Sequence, residues 1–266
     1  MPYFDNDGIK IYYEIEGEGP PVVLIHGFSG NLETSWKETN WVKTLKDSYQ
    51  LILLDCRGHG KSDKPHDDSS YGQKMRDDII KLMEHLSIEK ANLFGYSMGA
   101  YIIYHLLLTK PEVFISAILG GFVLTLNEKN IAKDDKTTQQ IVEAFRAESI
   151  DQVKKPMARA FRMIAESRDN DLLALAAVQA GDLKYNPKTM TPLQIRGSLK
   201  KINVPVMTVV GSSELLLGDK TLVAQIVPDA CHFQIQGKDH LTVTSDPKFH
   251  MVVKAFLDFV NNKKDG

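Results

Sequence analysis

Short apolar runs alternate with longer amphipathic stretches along most of this chain. Residues 9–15 alternate apolar and polar side chains, the period of a half-exposed strand, and are expected to pair with residues 3–5 across Asp7-Gly8. Residues 22–25 (Val-Val-Leu-Ile) and 51–54 (Leu-Ile-Leu-Leu) are continuous apolar runs, as strands buried on both faces should be. Between them, residues 36–45 predict a helix. Residues 75–86 place Ile79, Leu82, Met83 and Leu86 on one helical face. A strand at 91–94, a buried helix from Ala100 to Leu108 and a strand at 115–119 follow. Strands that alternate with helices predict an α/β fold with a mostly parallel sheet covered on both sides.

The alternation breaks at residue 126. From there to 201 no strand pattern stands out, and charged stretches at 140–146, 153–166 and 171–179 read as helices. Roughly seventy-five residues is too long for a connecting loop. We therefore expect a core domain made of residues 1–125 and 202–266, with 126–201 inserted as a helical cap or lid. Strand character returns at 204–210, followed by a helix at 218–226, a short strand at 231–236 and a last helix at 247–261.

Composition narrows the function classes. The 266 residues are 43% hydrophobic and 25% charged, enough for one large domain with a substantial core. A net charge of −2 gives no footprint for nucleic acid or an anionic membrane. Two cysteines, Cys56 and Cys231, form no disulfide framework, so a reduced, cytoplasmic setting is expected. The N-terminus lacks the basic and apolar regions of a signal peptide. The apolar stretch at 115–126 is too short and Gly-rich to span a bilayer. No His/Cys/Asp spacing suits a metal, and no Gly-x-Gly-x-x-Gly follows a strand. Residues 58–62 lack the upstream glycine of a phosphate loop. No cofactor is expected. The expected partner is a small-molecule acyl substrate, for a monomer or homodimer.

The most informative segment is Asn92-Leu93-Phe94-Gly95-Tyr96-Ser97-Met98-Gly99-Ala100. An apolar strand, Gly-x-Ser-x-Gly and an apolar helix describe a nucleophile elbow. The tight turn strains Ser97 and pushes its hydroxyl above the sheet edge. A serine hydroxyl needs a base, and His240, in the loop between the last strand and last helix, is the candidate. A carboxylate should orient that imidazole from the loop after strand 204–210. Glu214 is the candidate there and Asp219 the rival. The backbone N–H groups of Met98 and Phe28 are the candidate oxyanion donors. Phe28, Tyr96 and Met98, flanking the nucleophile, are candidate substrate-binding walls.

Other residues receive plainer readings. His26 should brace the loop that carries Phe28, and Asp55 and Arg57 should pair or satisfy loop backbone around His59. His85, His105 and His250 read as packing or surface residues; His66 and His232 lack a partner pattern. Trp36 and Trp41 either face the site or pack the first helix. In the insertion, Phe145, Met157, Phe161, Ile164, Leu172, Leu173 and Leu175 either line an acyl pocket or pack the helices. Arg159 and Arg162 could meet a substrate carboxylate but read more simply as solvated.

Taken in order, His26-Gly27 after a strand, Asp55-x-Arg57-Gly58-x-Gly60-x-Ser62, Gly95-x-Ser97-x-Gly99 and His240 near the end resemble the α/β-hydrolase superfamily. The resemblance implies an eight-stranded, mostly parallel sheet flanked by helices, a lid inserted after the sixth strand, and cofactor-free hydrolysis through an acyl-enzyme. It also carries the chain order nucleophile, acid, histidine. Members usually have Asp where Glu214 stands. Epoxide hydrolases and haloalkane dehalogenases carry Asp at the elbow, so Ser97 argues against both. A carboxylic-ester hydrolase is expected. Lactonases, thioesterases, carbon–carbon bond hydrolases and perhydrolases share the triad, and fold resemblance does not choose among them. A ligand receptor with slow or no turnover is the reading from another class; no exposed apolar stripe or extra tail supports it.

Overall fold

The computed structural model describes residues 3–185, 190–216 and 218–262. Residues 186–189 of the expected insertion and Leu217 of the acid-bearing loop lie outside them. Eight strands form one sheet: β1 (Tyr3–Asn6), β2 (Ile9–Glu16), β3 (Pro21–Ile25), β4 (Gln50–Leu54), β5 (Ala91–Tyr96), β6 (Phe114–Gly120), β7 (Val206–Gly211) and β8 (Cys231–Ile235). Their spatial order is β1-β2-β4-β3-β5-β6-β7-β8. Only β2 runs against its neighbours; β4, β3, β5, β6, β7 and β8 are parallel. Six parallel strands therefore send their carboxyl ends, and the loops that follow, to one edge, where ligands sit in such sheets.

The helices are α1 (Trp41–Leu45), α2 (Gln73–His85), α3 (Met98–Thr109), α4 (Glu128–Arg146), α5 (Pro156–Ser167), α6 (Leu172–Tyr185), α7 (Pro192–Leu199), α8 (Leu222–Ile226) and α9 (Pro247–Asn262). Successive strand residues serve opposite faces. On β5, Leu93 joins a core with Ile79, Leu82 and Ile103 from α2 and α3, while Phe94 joins Trp36, Trp41 and Phe249 on the other side. Both tryptophans are fully buried, so they pack rather than face the site.

That burial explains a departure from expectation. The helix predicted over 36–45 is two pieces: a π-helical turn, Glu33–Lys37, and α1. Asn40 breaks them with a left-handed φ of 65°. In one continuous α-helix, residues five apart point about 140° from each other. The break turns Trp36 and Trp41 into the same core.

Between β6 and β7 the chain is helical, α4 to α7. The first three turns of α4 escaped the sequence pattern because residues 128–139 are almost wholly polar. Asn127 starts the helix by accepting from the Lys129 and Asn130 N–H groups at 3.0 and 3.4 Å. For α7 a signal existed: Thr191 and Gln194 form a capping box with Pro192 at the first turn. Helices α4, α5 and α6 share a core of their own around Ile141, Phe145 and Leu175. Among the described residues, no helix is long and apolar enough to cross a membrane.

Candidate functional site

Ser97 stands where β5 passes directly into α3. Its φ of 51° and ψ of −112° are strained for a non-glycine residue, at roughly 1–3 kcal/mol. Neighbours hold it there. Its N–H donates to the Gly120 carbonyl on β6 at 2.8 Å, and its carbonyl accepts from Tyr101 at 3.0 Å. The two motif glycines have a steric cause. A Cβ on Gly95 would lie 2.3 Å from the Gly99 carbonyl carbon, and one on Gly99 would lie 2.0 Å from the Ile25 oxygen. Strand and helix can meet this closely only without side chains.

The loops after β7 and β8 bring two more groups to Ser97. The Ser97 hydroxyl donates to His240 Nε2 at 2.9 Å, and His240 Nδ1–H donates to Glu214 Oε2 at 2.8 Å. The other Glu214 oxygen accepts from the Leu215 and Leu216 N–H groups at 2.9 and 3.1 Å. Burial pushes the Glu214 carboxyl up. The His240 hydrogen bond and charge, with the two backbone donors, outweigh that and hold it below its ordinary value. An ionised carboxylate on Nδ1 leaves the Nε2 lone pair facing the serine. Asp219 is not in this chain: its carboxylate accepts from the Thr221 N–H and hydroxyl, both at 2.8 Å.

Tyr96 is buried, and its hydroxyl donates to the backbone carbonyl of His240, with the two rings 5.3 Å apart. Burial, with the charges of Glu214 and Asp239, drives this phenol well above its usual pKa, so it stays a donor. The partly buried Met98 opens α3, where helix geometry leaves the first N–H groups without intrahelical acceptors.

The loop after β3 lies against the elbow. A Cβ on Gly27 would sit 3.4 Å from the Ser97 Cβ. Gly30 N–H donates to the Gly27 carbonyl at 3.1 Å, closing a turn whose third residue, Ser29, has a φ of 57°. His26 braces it: Nδ1–H donates to Gly27 at 2.8 Å, while Nε2 accepts from the Cys56 N–H at 3.0 Å. Burial keeps this imidazole's pKa low, against the pull of Asp55. Asp55 accepts from Leu32 and Lys61 N–H groups at 2.7 Å each. Arg57 does not pair with it. Its guanidinium forks onto Asp78 of α2 at 2.6 and 2.5 Å and donates to the Ser70 carbonyl at 2.7 Å.

Phe28 reaches away from the sheet. Its ring stacks on Phe145 at 5.8 Å and contacts Phe161 at 6.3 Å and His59 at 5.9 Å. The two candidate arginines of the helical stretch are spent locally. Arg162, expected in solvent, is buried and donates to the Ala144 and Ala147 carbonyls at 2.7 Å each and to Glu166 at 2.7 Å. Arg159 donates to the Ile150 carbonyl. His66, given no partner by the sequence, meets Asp171 at 2.9 Å. Among the described residues, no group of acidic, histidine or cysteine side chains could hold a metal.

A strained serine at a strand–helix elbow, hydrogen-bonded in series to histidine and glutamate at the carboxyl edge of a parallel sheet, defines a class of fold and site. Residues 20–213 match the family model of the alpha/beta hydrolase fold, and the chain belongs to that family. It is a hydrolase-type enzyme of the α/β fold. A Bacillus subtilis (strain 168) protein with the provisional name 2-succinyl-6-hydroxy-2,4-cyclohexadiene-1-carboxylate synthase is 28% identical over 274 residues, spanning 95% of this chain and 96% of its own. Among solved structures, a thermophilic esterase from Thermogutta terrifontis superposes with a TM-score of 0.75 at 20% identity, covering 97% of each chain. The enol-lactonase from Burkholderia xenovorans LB400 gives 0.71 at 19% identity, covering 96% of this chain and 99% of that one. At these identities the solved structures speak for the fold alone.

Proposed function

We propose that this protein is a serine hydrolase that cleaves a carboxylic ester of a small or medium acyl group through an acyl-enzyme. The observation that carries the reading is the unbroken hydrogen-bond series from the Ser97 hydroxyl through His240 to Glu214. Ser97 attacks the carbonyl carbon as His240 Nε2 takes its proton. The tetrahedral oxygen gathers negative charge, and the Phe28 and Met98 N–H groups stabilise it. His240 then returns the proton to the leaving alcohol, which departs as the carbonyl re-forms. A water, deprotonated by the same imidazole, attacks the acyl-enzyme; the bond to Ser97 breaks, the imidazole returns the proton to the serine oxygen, and the acid leaves. Glu214 holds the imidazole's orientation and balances its positive charge in both halves.

Helices α4 to α7 act in this reading as a cap over the acyl site, with residues 126–201 as the inserted unit. Phe28 and Met98 are its substrate walls. Tyr96, buried beneath, contributes by holding the His240 backbone. A lactone is an internal ester, and the same steps would open one; the names of the relatives include a lactonase, so lactones belong in the test.

The test is hydrolysis of p-nitrophenyl esters of increasing chain length and of a lactone panel, by the parent and by Ser97→Ala. Turnover by the parent that disappears in the variant is the expected result, and the preferred chain length sizes the pocket. Preference for lactones over open esters would move the reading to a lactonase. Labelling of Ser97 by a phosphonate without turnover of either would point to a thioester or carbon–carbon substrate. Neither turnover nor labelling would overturn the reading and favour a ligand receptor.

A further inference from the structure

The turn that carries Phe28 is gripped from two sides. On the sheet side, His26 Nε2 accepts from the Cys56 N–H, and Asp55, after β4, accepts from the Leu32 N–H just beyond the turn. On the other side it meets the inserted helices. Phe28 packs into their aromatic pair, Phe145 and Phe161. One residue on, the Ser29 carbonyl accepts from Asn170 Nδ2 at 3.2 Å and from Arg168 Nη1 at 3.5 Å. Both donors sit in the short connection between α5 and α6. The Asn170 amide also donates to the Ala165 carbonyl near the end of α5 at 3.3 Å, so it bridges helix and turn. Beside this contact lies a cavity of about 240 Å³ lined by Asn31, Leu32, Arg168 and Asn170, among others.

We propose that Asn170, with Arg168 in support, is a positioning residue that holds the oxyanion turn, so that the inserted helices set the geometry of the site as well as cover it. The kinetic consequence rests on the reading of Phe28 N–H as an oxyanion donor; the grip on the turn does not. Deleting one such donor costs about 10²- to 10³-fold in rate, and a donor loosened rather than deleted should cost less. Because the oxyanion exists only beyond the ground state, the loss falls on kcat and not on KM.

The experiment compares the full chain with Asn170→Asp, which keeps the shape but removes the donor, and with Arg168→Ala. Steady-state hydrolysis of p-nitrophenyl butyrate is measured beside hydrogen exchange of the segment 26–32. For Asn170→Asp we expect kcat to fall by about 10-fold or somewhat more. KM should stay within about twofold. Exchange at 26–32 should be faster while α2 and α3 are unchanged. Arg168→Ala should shift both readings in the same direction by less, and it serves alone should Asn170→Asp fold poorly. Unchanged exchange at 26–32 overturns the proposal, whether or not kcat falls. If the parent hydrolyses no ester and Ser97 resists the phosphonate, the functional reading fails and the exchange comparison alone decides the grip.

Discussion

The core beneath the sheet and the core inside the insertion are built from different materials. The first is aromatic: Trp36 and Trp41 lie 4.9 and 4.7 Å from Phe94, and Phe249 lies 5.0 Å from Trp41. The second surrounds Phe145 and Leu175 with Ala144, Ala158, Ala165, Ala176 and Ala180. Each buried ring removes 150–250 Å² from water, by the general scale of aromatic side chains, whereas an alanine removes little and mainly lets helices approach. The insertion adds to this the buried Arg162 clamp and ion pairs to the main body, Arg146–Asp68 and His66–Asp171. Exposed pairs of that kind contribute at most about 1 kcal/mol each. The sheet therefore holds Ser97, His240 and Glu214 on the stiffer support, and the helices between β6 and β7, which the proposal makes a cap, are the more weakly built.

The strongest test of the sheet-borne half is Glu214→Gln. A neutral amide cannot balance the imidazolium, and kcat on an ester substrate should drop by about 10⁴-fold with the fold intact. A drop below tenfold would mean that this carboxylate does not serve His240.

Stability separates the two cores next. Phe249→Ala should lower the global unfolding free energy by about 3–5 kcal/mol in urea melts. Phe145→Ala should cost the whole molecule less yet depress ester hydrolysis more, because Phe28 loses its stacking partner. Equal losses of stability would erase the distinction between the cores.

Acid should sharpen it. Burial holds His59 and His105 near pKa 3, with His26 and Arg76 charges adding to the effect. Unfolded, each titrates near 6.5. As pH falls below about 6.5 the unfolded chain gains protons that the folded chain refuses, so stability declines until about pH 3, by up to about 1.4 kcal/mol per pH unit for each. Glu214, held low in the folded state, works in the same direction: its contribution is present above the ordinary carboxylate range and is lost as pH falls through its depressed value. Residues 126–201 contain no histidine. His105→Gln should therefore flatten the acid limb of a pH series of urea melts, and an unchanged slope would contradict the burial argument. The smallest effect is expected from Tyr96→Phe. Losing the hydroxyl that holds the His240 carbonyl should cost about 1 kcal/mol in transition-state stabilisation, a severalfold loss in kcat.

Much of this was legible in the chain because the signals are local. Continuous apolar runs marked β3 and β4, and Gly-x-Ser-x-Gly between a strand and a helix marked β5 and the elbow. Loop placement alone put Glu214 ahead of Asp219. What separates them is the Thr221 contact, which fixes Asp219 elsewhere. The broken helix around Asn40 was hidden, because local periodicity cannot reveal that two tryptophans must enter one core. Pairings between distant residues were hidden for the same reason. Arg57 meets Asp78 across 21 residues, His66 meets Asp171 across 105, and Asn170 meets Ser29 across 141. No window on the sequence contains both partners.

The distance along the chain between Ser97 and His240, 143 residues, also orders events on the ribosome. At about 5–20 residues per second, translation delivers the serine roughly 7–30 s before its base. Over that interval the nascent chain already carries the elbow but lacks the imidazole that would arm it. Under the proposed mechanism hydrolytic competence thus arrives late in synthesis, and a truncated product ending before His240 would lack its base.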